Sequence, residues 1–158
     1  MKHTGGSMSP FTAWVMLKGL ETLDLRVRAQ TSNALSIARA LSGHDKVEAV
    51  IYPGLESHAQ HALAMTQMGA GGTVLSVKLK GGKDAAFRFL NAIEVGVISN
   101  NLGDAKTILT HPATTTHQRL PQEQKDALGI SPGLVRISVG IENEDDLVGD
   151  FIQALDMA

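Results

Sequence analysis

The feature that most constrains this chain is the alternation over residues 73–80, where Thr73, Leu75, Val77 and Leu79 share one face and Ser76, Lys78 and Lys80 share the other. A side-chain period of two belongs to a β-strand, and an apolar face opposed by a polar one belongs to a strand buried on one side only. The same pattern returns in residues 134–139, with Val135, Ile137 and Val139 on one face and Leu134, Arg136 and Ser138 on the other. Half-buried strands build antiparallel sheets whose single apolar face must be covered, usually by helices.

The covering helices are legible in the rest of the chain. Ser9-Pro10 pairs a capping hydroxyl with a proline at the first helical position, which predicts a helix to about Thr22. Asp24 is placed to cap a second helical stretch through Val27, Leu35, Ala38 and Leu41, with Gly43 as its left-handed stop, so the lead-in is two helices or one long helix with a break. Val47, Ala49 and Ile51 alternate as a short strand closed by Pro53-Gly54, and Ser57 is read as the cap of a helix through Met68. After the strand at 73–80, Gly81-Gly82 turns into a helix over 83–93 with Phe87, Leu90 and Ile93 on its apolar side. Residues 95–98 and 107–110 are short strand candidates, Pro121 opens a helix that ends at Leu128-Gly129-Ile130, and Asn143 with three following acids marks the start of the last helix. The expected order is two helices followed by β-α-β-α-β-β-α-β-α. The expected fold is α+β: a two-layer domain with a small, largely antiparallel sheet carrying helices on one face, preceded by long helices. Residues 1–43 form that lead-in and residues 44–158 the small domain.

A chain of 158 residues suits a single domain with a sizeable core. With 43% apolar and 19% charged residues and a net charge of −2, it falls in the globular range and gives no basic footprint for nucleic acid. Its apolar runs, such as 13–17 and 95–98, fall far short of the roughly 20 residues of a membrane span. There is no cysteine, hence no disulfide framework or thiolate ligand, and no basic leader followed by an apolar stretch; a cytoplasmic setting is expected.

Several motifs invite a chemical reading. His58 and His61 are three apart on a predicted helix, but no third ligand follows at a metal-binding spacing, and a solvated helix face accounts for them. Gly69-Ala70-Gly71-Gly72 follows a helix and precedes a strand, the reverse of a phosphate loop, and reads as a turn. The acids from Glu142 to Asp146 lack the spacing of a calcium loop and read as helix capping. Arg136 projects from a rigid strand away from the apolar face, a placement that suits a fork gripping a carboxylate through two parallel hydrogen bonds; an arginine on a solvated sheet face has the same spacing. The polar segment Ser99-Asn100-Asn101-Leu102-Gly103-Asp104 has the composition of a ligand loop and equally of a plain turn.

Taken as words, the motifs carry more. Ser9-Pro10-Phe11, Leu17-Lys18-Gly19-Leu20-Glu21-Thr22-Leu23, Gly71-Gly72, Asn101-Leu102-Gly103-Asp104-Ala105-Lys106-Thr107, His111-Pro112-Ala113-Thr114-Thr115-Thr116-His117 and Leu134-Val135-Arg136-Ile137-Ser138-Val139-Gly140-Ile141-Glu142 occur in order. Together they resemble the C-terminal part of the cystathionine synthase, lyase and homoserine sulfhydrylase family of pyridoxal-phosphate (PLP) enzymes. The resemblance implies the small domain of a fold-type-I PLP enzyme, closing over an amino-acid substrate. It implies that Arg136 binds the substrate α-carboxylate, with Asn100 and Asn101 nearby; relatives commonly carry serine where this chain has Asn101. The segment from Asn101 to Lys106 and that from His111 to His117 are similar to sulfhydrylases more than to lyases.

The implied activity is replacement of the succinyl group of O-succinylhomoserine by sulfide to give homocysteine. O-acetylhomoserine as substrate is the nearest alternative, and a γ-lyase or cystathionine synthase the next. PLP chemistry needs a Schiff-base lysine, which in the family follows serine or threonine; no lysine here has that context. PLP is therefore expected in the whole enzyme and not bound to this chain, which is expected to be inactive alone. A homo-oligomer is expected, since His3 to Leu23 would bridge to the PLP domain and carries Phe11, Trp14, Val15, Met16, Leu17 and Leu20. The rival class is a stand-alone, non-catalytic small domain that binds an amino acid or a protein partner.

Overall fold

The computed structural model describes residues 6–158; Met1 to Gly5, including the start of the expected bridging segment at His3, lie outside the described residues. The elements follow the expected order: α1 (Pro10–Glu21), α2 (Leu23–Leu41), β1 (Val47–Ile51), α3 (His61–Met68), β2 (Val74–Leu79), α4 (Gly82–Ala92), β3 (Val97–Ile98), β4 (Ile108–Thr110), α5 (Gln122–Ala127), β5 (Leu134–Ser138) and α6 (Glu144–Asp156), with a single 3-10 turn at Pro112–Thr114. The strands form one sheet in the order β1-β2-β5-β4-β3. Three of its four pairings are antiparallel and only β3 runs parallel to β4.

The sheet buries the face that the alternation marks. Leu75, Val77 and Leu79 from β2, Val135 and Ile137 from β5 and Val139 immediately after it are almost wholly buried. They meet Ala34, Ile37, Ala38 and Leu41 of α2, Phe89 and Leu90 of α4, and Leu147, Phe151 and Leu155 of α6. Each fully buried Leu or Phe side chain contributes about 1.5–3 kcal/mol through removal from water. The second half of α2 is thus part of this core, whereas α1 contains no buried residue.

Four local expectations are corrected. In β1 the strict alternation fails: Val47 pairs with Leu79 but Ala49 pairs with Lys78, so a bulge inserts Glu48. One extra residue moves every later side chain to the other face; Val50 and Tyr52 turn inward and Ile51 becomes exposed. The helix expected from Ser57 begins only at His61, because turns over 53–60 hold the chain, with the His58 and His61 amides bonded to the carbonyls of Leu55 and His58. Asp24 lies inside the first turn of α2 and pairs with Arg28 at 2.9 Å, while Thr22 occupies the cap. On α4 the core aromatic is Phe89, whose ring lies 6.0 Å from that of Phe151, and Phe87 sits at the helix edge.

The glycine-rich turn has a reason beyond chain reversal. A Cβ on Gly71 would lie 2.6 Å from Tyr52 Cζ and 2.5 Å from the Gly54 amide nitrogen. The bulge in β1 sends the Tyr52 ring into the space that Gly54 and Gly71 leave. Its hydroxyl donates to the Gly72 carbonyl at 2.8 Å, and burial pushes the phenol up to about 12.

Candidate functional site

Arg136 lies in the middle of β5, the central strand of the five, with Ser76 of β2 and Thr110 of β4 opposite it in register. Strands on both sides fix its backbone, and its side chain leaves on the face away from the helices. That face is not simply solvated: Leu134 and Ser138, two residues to either side of Arg136, are buried. The cover comes from the segment after β3. The Gly103 amide donates to Ser138 Oγ at 2.8 Å, drawing residues 99–104 across the strand.

The two sequence-predicted partners of Arg136 meet it here through their backbone. Arg136 Nη2 donates to the Asn100 carbonyl at 3.0 Å and to the Asn101 carbonyl at 3.2 Å. Asn100 also accepts a bond at its Oδ1 from Thr110 Oγ1 at 3.3 Å, whereas the Asn101 side chain is exposed. One guanidinium nitrogen is therefore committed to the loop. Among the described residues no carboxylate pairs with Arg136 and no bond engages its Nε or Nη1. A half-buried, fixed cation with unused N–H groups can bind an anionic oxygen pair by charge-assisted hydrogen bonds.

Around this centre lies a shell of polar anchors whose roles sequence spacing does not announce. Thr110 Oγ1 lies 3.0 Å from Thr115 Oγ1, which donates to the His111 carbonyl at 2.8 Å. His111 is buried with its Nε2 2.8 Å from the Pro132 carbonyl, an acceptor only, so Nε2 carries the proton and Nδ1 accepts from Thr114 Oγ1 at 2.8 Å. The histidine and threonines of the segment 111–117 thus pin the turn beside β4. Glu142 also departs from its expected capping role: its carboxylate accepts from the Thr107 amide at 2.6 Å and Thr107 Oγ1 at 2.9 Å. The cap of α6 is Asn143 alone, whose side chain accepts from the Asp145 and Asp146 amides.

From α2, Gln30 Nε2 donates to the Asp104 and Val139 carbonyls at 2.7 and 2.8 Å. Asn33 Nδ2 donates to those of Gly140 and Glu142 at 3.1 and 2.9 Å. The junction is tight enough that a Cβ on Gly140 would fall 2.5 Å from the Ala105 carbonyl oxygen. Only burial could have revealed Gln30 and Asn33, which on the page look like ordinary helix-surface amides.

The remaining candidates are spent on structure. His61 Nδ1 lies 2.8 Å from the Pro53 carbonyl, and His58 Nδ1 accepts from the Gln60 amide at 3.2 Å. Among the described residues no three metal-ligating side chains converge.

A Schiff-base lysine has to be kept unprotonated by a shielding pocket. Of the described lysines none is buried. Lys18 and Lys78 pair with Glu21 and Glu48, and Lys46, Lys80 and Lys125 bond backbone carbonyls. Among the described residues no lysine is thus enclosed, and the guanidinium with unused N–H groups is that of Arg136 on the central strand.

A family model described as Cys/Met metabolism PLP-dependent enzyme matches residues 1–156. The chain belongs to this family. An O-succinylhomoserine sulfhydrylase of Mycobacterium tuberculosis is 50% identical over 98% of this chain and 39% of its own length. The crystal structure of cystathionine gamma synthase from Xanthomonas oryzae pv. oryzae, in complex with cystathionine, superimposes with a TM-score of 0.90 at 40% identity, over 96% of this chain and 39% of that one. A Campylobacter jejuni structure described as an O-acetylhomoserine (thiol)-lyase, with a pyridoxyl-lysine phosphate, has a TM-score of 0.92 at 36% identity, over 98% of this chain and 37% of that one. The chain thus spans about two fifths of the length of the relatives it matches, and the family is PLP-dependent. Among the described residues no helix is long and apolar enough to cross a membrane.

Proposed function

We propose that this chain is the C-terminal part of an O-succinylhomoserine sulfhydrylase, in which residues 44–158 form the small domain and residues 1–43 the connection to a PLP-bearing domain. The whole enzyme, a cytoplasmic transferase, replaces the succinyl group of O-succinylhomoserine by sulfide and releases homocysteine. PLP stabilises the substrate carbanions when bound. Arg136 holds the substrate α-carboxylate, and the Asn100–Asn101 loop fixes the guanidinium in place. The chain by itself is inactive.

The observation that carries this reading is the seating of Arg136: a cation on the central strand, anchored by two carbonyls through one nitrogen and unpaired with any carboxylate among the described residues. The 50% identity to a relative named for that activity supports the choice of acyl ester. Steady-state homocysteine formation by the complete enzyme, with O-succinylhomoserine and O-acetylhomoserine compared at fixed sulfide, is the test. A higher kcat/KM for the succinyl ester supports the proposal, and a preference for the acetyl ester replaces it with the acetylhomoserine reaction.

A further inference from the structure

The Gln30 carboxamide has its whole donor capacity aimed at two carbonyls that lie 74 and 109 residues away along the chain. The first, Asp104, ends the loop whose carbonyls at Asn100 and Asn101 receive the Arg136 guanidinium. The second, Val139, lies three residues beyond Arg136, immediately after the strand that bears it. One NH2 group on α2 therefore bonds the end of the loop and the end of the strand segment that flank Arg136, beside the direct Gly103–Ser138 bond. Gln30 is buried and so is its bond to Val139, so loss of the donor would leave the Val139 carbonyl in a closed space without that partner, while the part-buried Asp104 carbonyl would lose its tie to α2.

From this geometry we infer that Gln30 is a positioning residue: it fixes the Asn100–Asp104 loop against β5, and so sets the aim of Arg136 at the substrate carboxylate. The inference rests on the carboxylate reading of Arg136 for its catalytic consequence, while its structural content stands apart from that reading. Asn33, three residues on, holds the carbonyls of Gly140 and Glu142. It shares the burial of Gln30 but reaches no residue of the Asn100–Asp104 loop, which makes it the natural control.

The placement also gives α2 a second role. Its C-terminal half is core, its N-terminal half carries exposed Leu23, Leu25 and Val27, and Gln30 stands where the two halves meet. Gln30 thus joins the helix at that boundary to the loop beside Arg136.

The test combines amide hydrogen exchange on this chain with kinetics of the complete enzyme. Gln30→Met keeps the length of the side chain and removes both donors. It should speed exchange of the Gly103 amide, which depends on Ser138, by about tenfold relative to core amides such as Val77, the equivalent of one ordinary hydrogen bond. Asn33→Ala should speed exchange of core and loop amides together, without a selective change at Gly103. In the complete enzyme, Gln30→Met should raise the KM for the acyl-homoserine about five- to tenfold and change kcat by less than about twofold, as expected when ground-state and transition-state binding weaken equally. Gly103 exchange that follows the core in Gln30→Met overturns the inference. Selective Gly103 exchange with an unchanged KM leaves the positioning intact and instead removes Arg136 from carboxylate binding. If Gln30→Met does not fold, Gln30→Lys, which keeps a donor on a side chain one bond longer, should restore the Gly103 protection in part; a folded Gln30→Lys with an unprotected Gly103 also overturns the inference.

Discussion

The guanidinium of Arg136 and the carbonyl oxygen of Asn100 lie 3.0 Å apart, joined through Nη2, which also reaches the Asn101 carbonyl. The loop thus supports the arginine with backbone oxygens, which any residue supplies. Asn101→Ser, which keeps the carbonyl and shortens an exposed side chain, should leave the KM for the amino-acid substrate within about threefold of wild type. Initial rates across a substrate series check this; a tenfold rise would assign binding to the Asn101 side chain itself.

Tyr52 gives a prediction in alkaline solution. Its phenol is raised to about 12 in the folded chain, while an unfolded tyrosine titrates near 10. Between those values the unfolded state holds fewer protons, so the contribution of Tyr52 is complete below pH 10 and is lost as pH rises toward 12, amounting to about 2–3 kcal/mol across the window. Urea unfolding of wild type and Tyr52→Phe at pH 8 to 11 should show the difference between them shrinking as pH rises. A constant difference would mean that the hydroxyl titrates as in water.

Much of the scaffold was readable because it is periodic. The alternation in β2 and β5, the Ser9-Pro10 start of α1 and the Asn143 cap of α6 each depend on neighbours within a few residues, and each is found where expected. The bulge at Glu48 was not legible, since an extra residue in a strand is specified by its partner β2, and the consequence appears only in the burial of Tyr52. The site divides in the same way. Arg136 could be placed on its face by counting in twos, but Gln30, Ser138 and Glu142 meet their partners across 35 to 109 residues, a separation that local pattern does not encode.

The exposed apolar residues of α1 carry a prediction about association. Phe11, Trp14, Val15, Met16, Leu17 and Leu20 are all about half exposed or more on a helix with no buried residue. Contiguous apolar patches above a few hundred Å² are rare on stable monomers. The chain alone should therefore form dimers or larger homo-oligomers through α1, and deletion of residues 1–22 should return it to a monomer in sedimentation velocity at tens of micromolar. An oligomer unchanged by that deletion would place the interface elsewhere.

A further expectation concerns the cofactor. No described lysine is buried, so PLP added to the isolated chain should form no stable aldimine. Borohydride treatment followed by peptide mapping should find no lysine stoichiometrically modified. A single lysine fixed in full yield would reveal a cofactor seat within this chain.

Arg136 as the ligand of the substrate carboxylate is tested most directly by substitution with lysine in the complete enzyme. Arg136→Lys keeps the charge and removes the planar set of N–H groups that reaches the loop carbonyls and an anion together. Measured with O-succinylhomoserine and sulfide, it should raise KM and lower kcat/KM by about one to two orders of magnitude, with unfolding midpoints close to wild type. Unchanged kinetics in a folded Arg136→Lys enzyme would contradict the assignment.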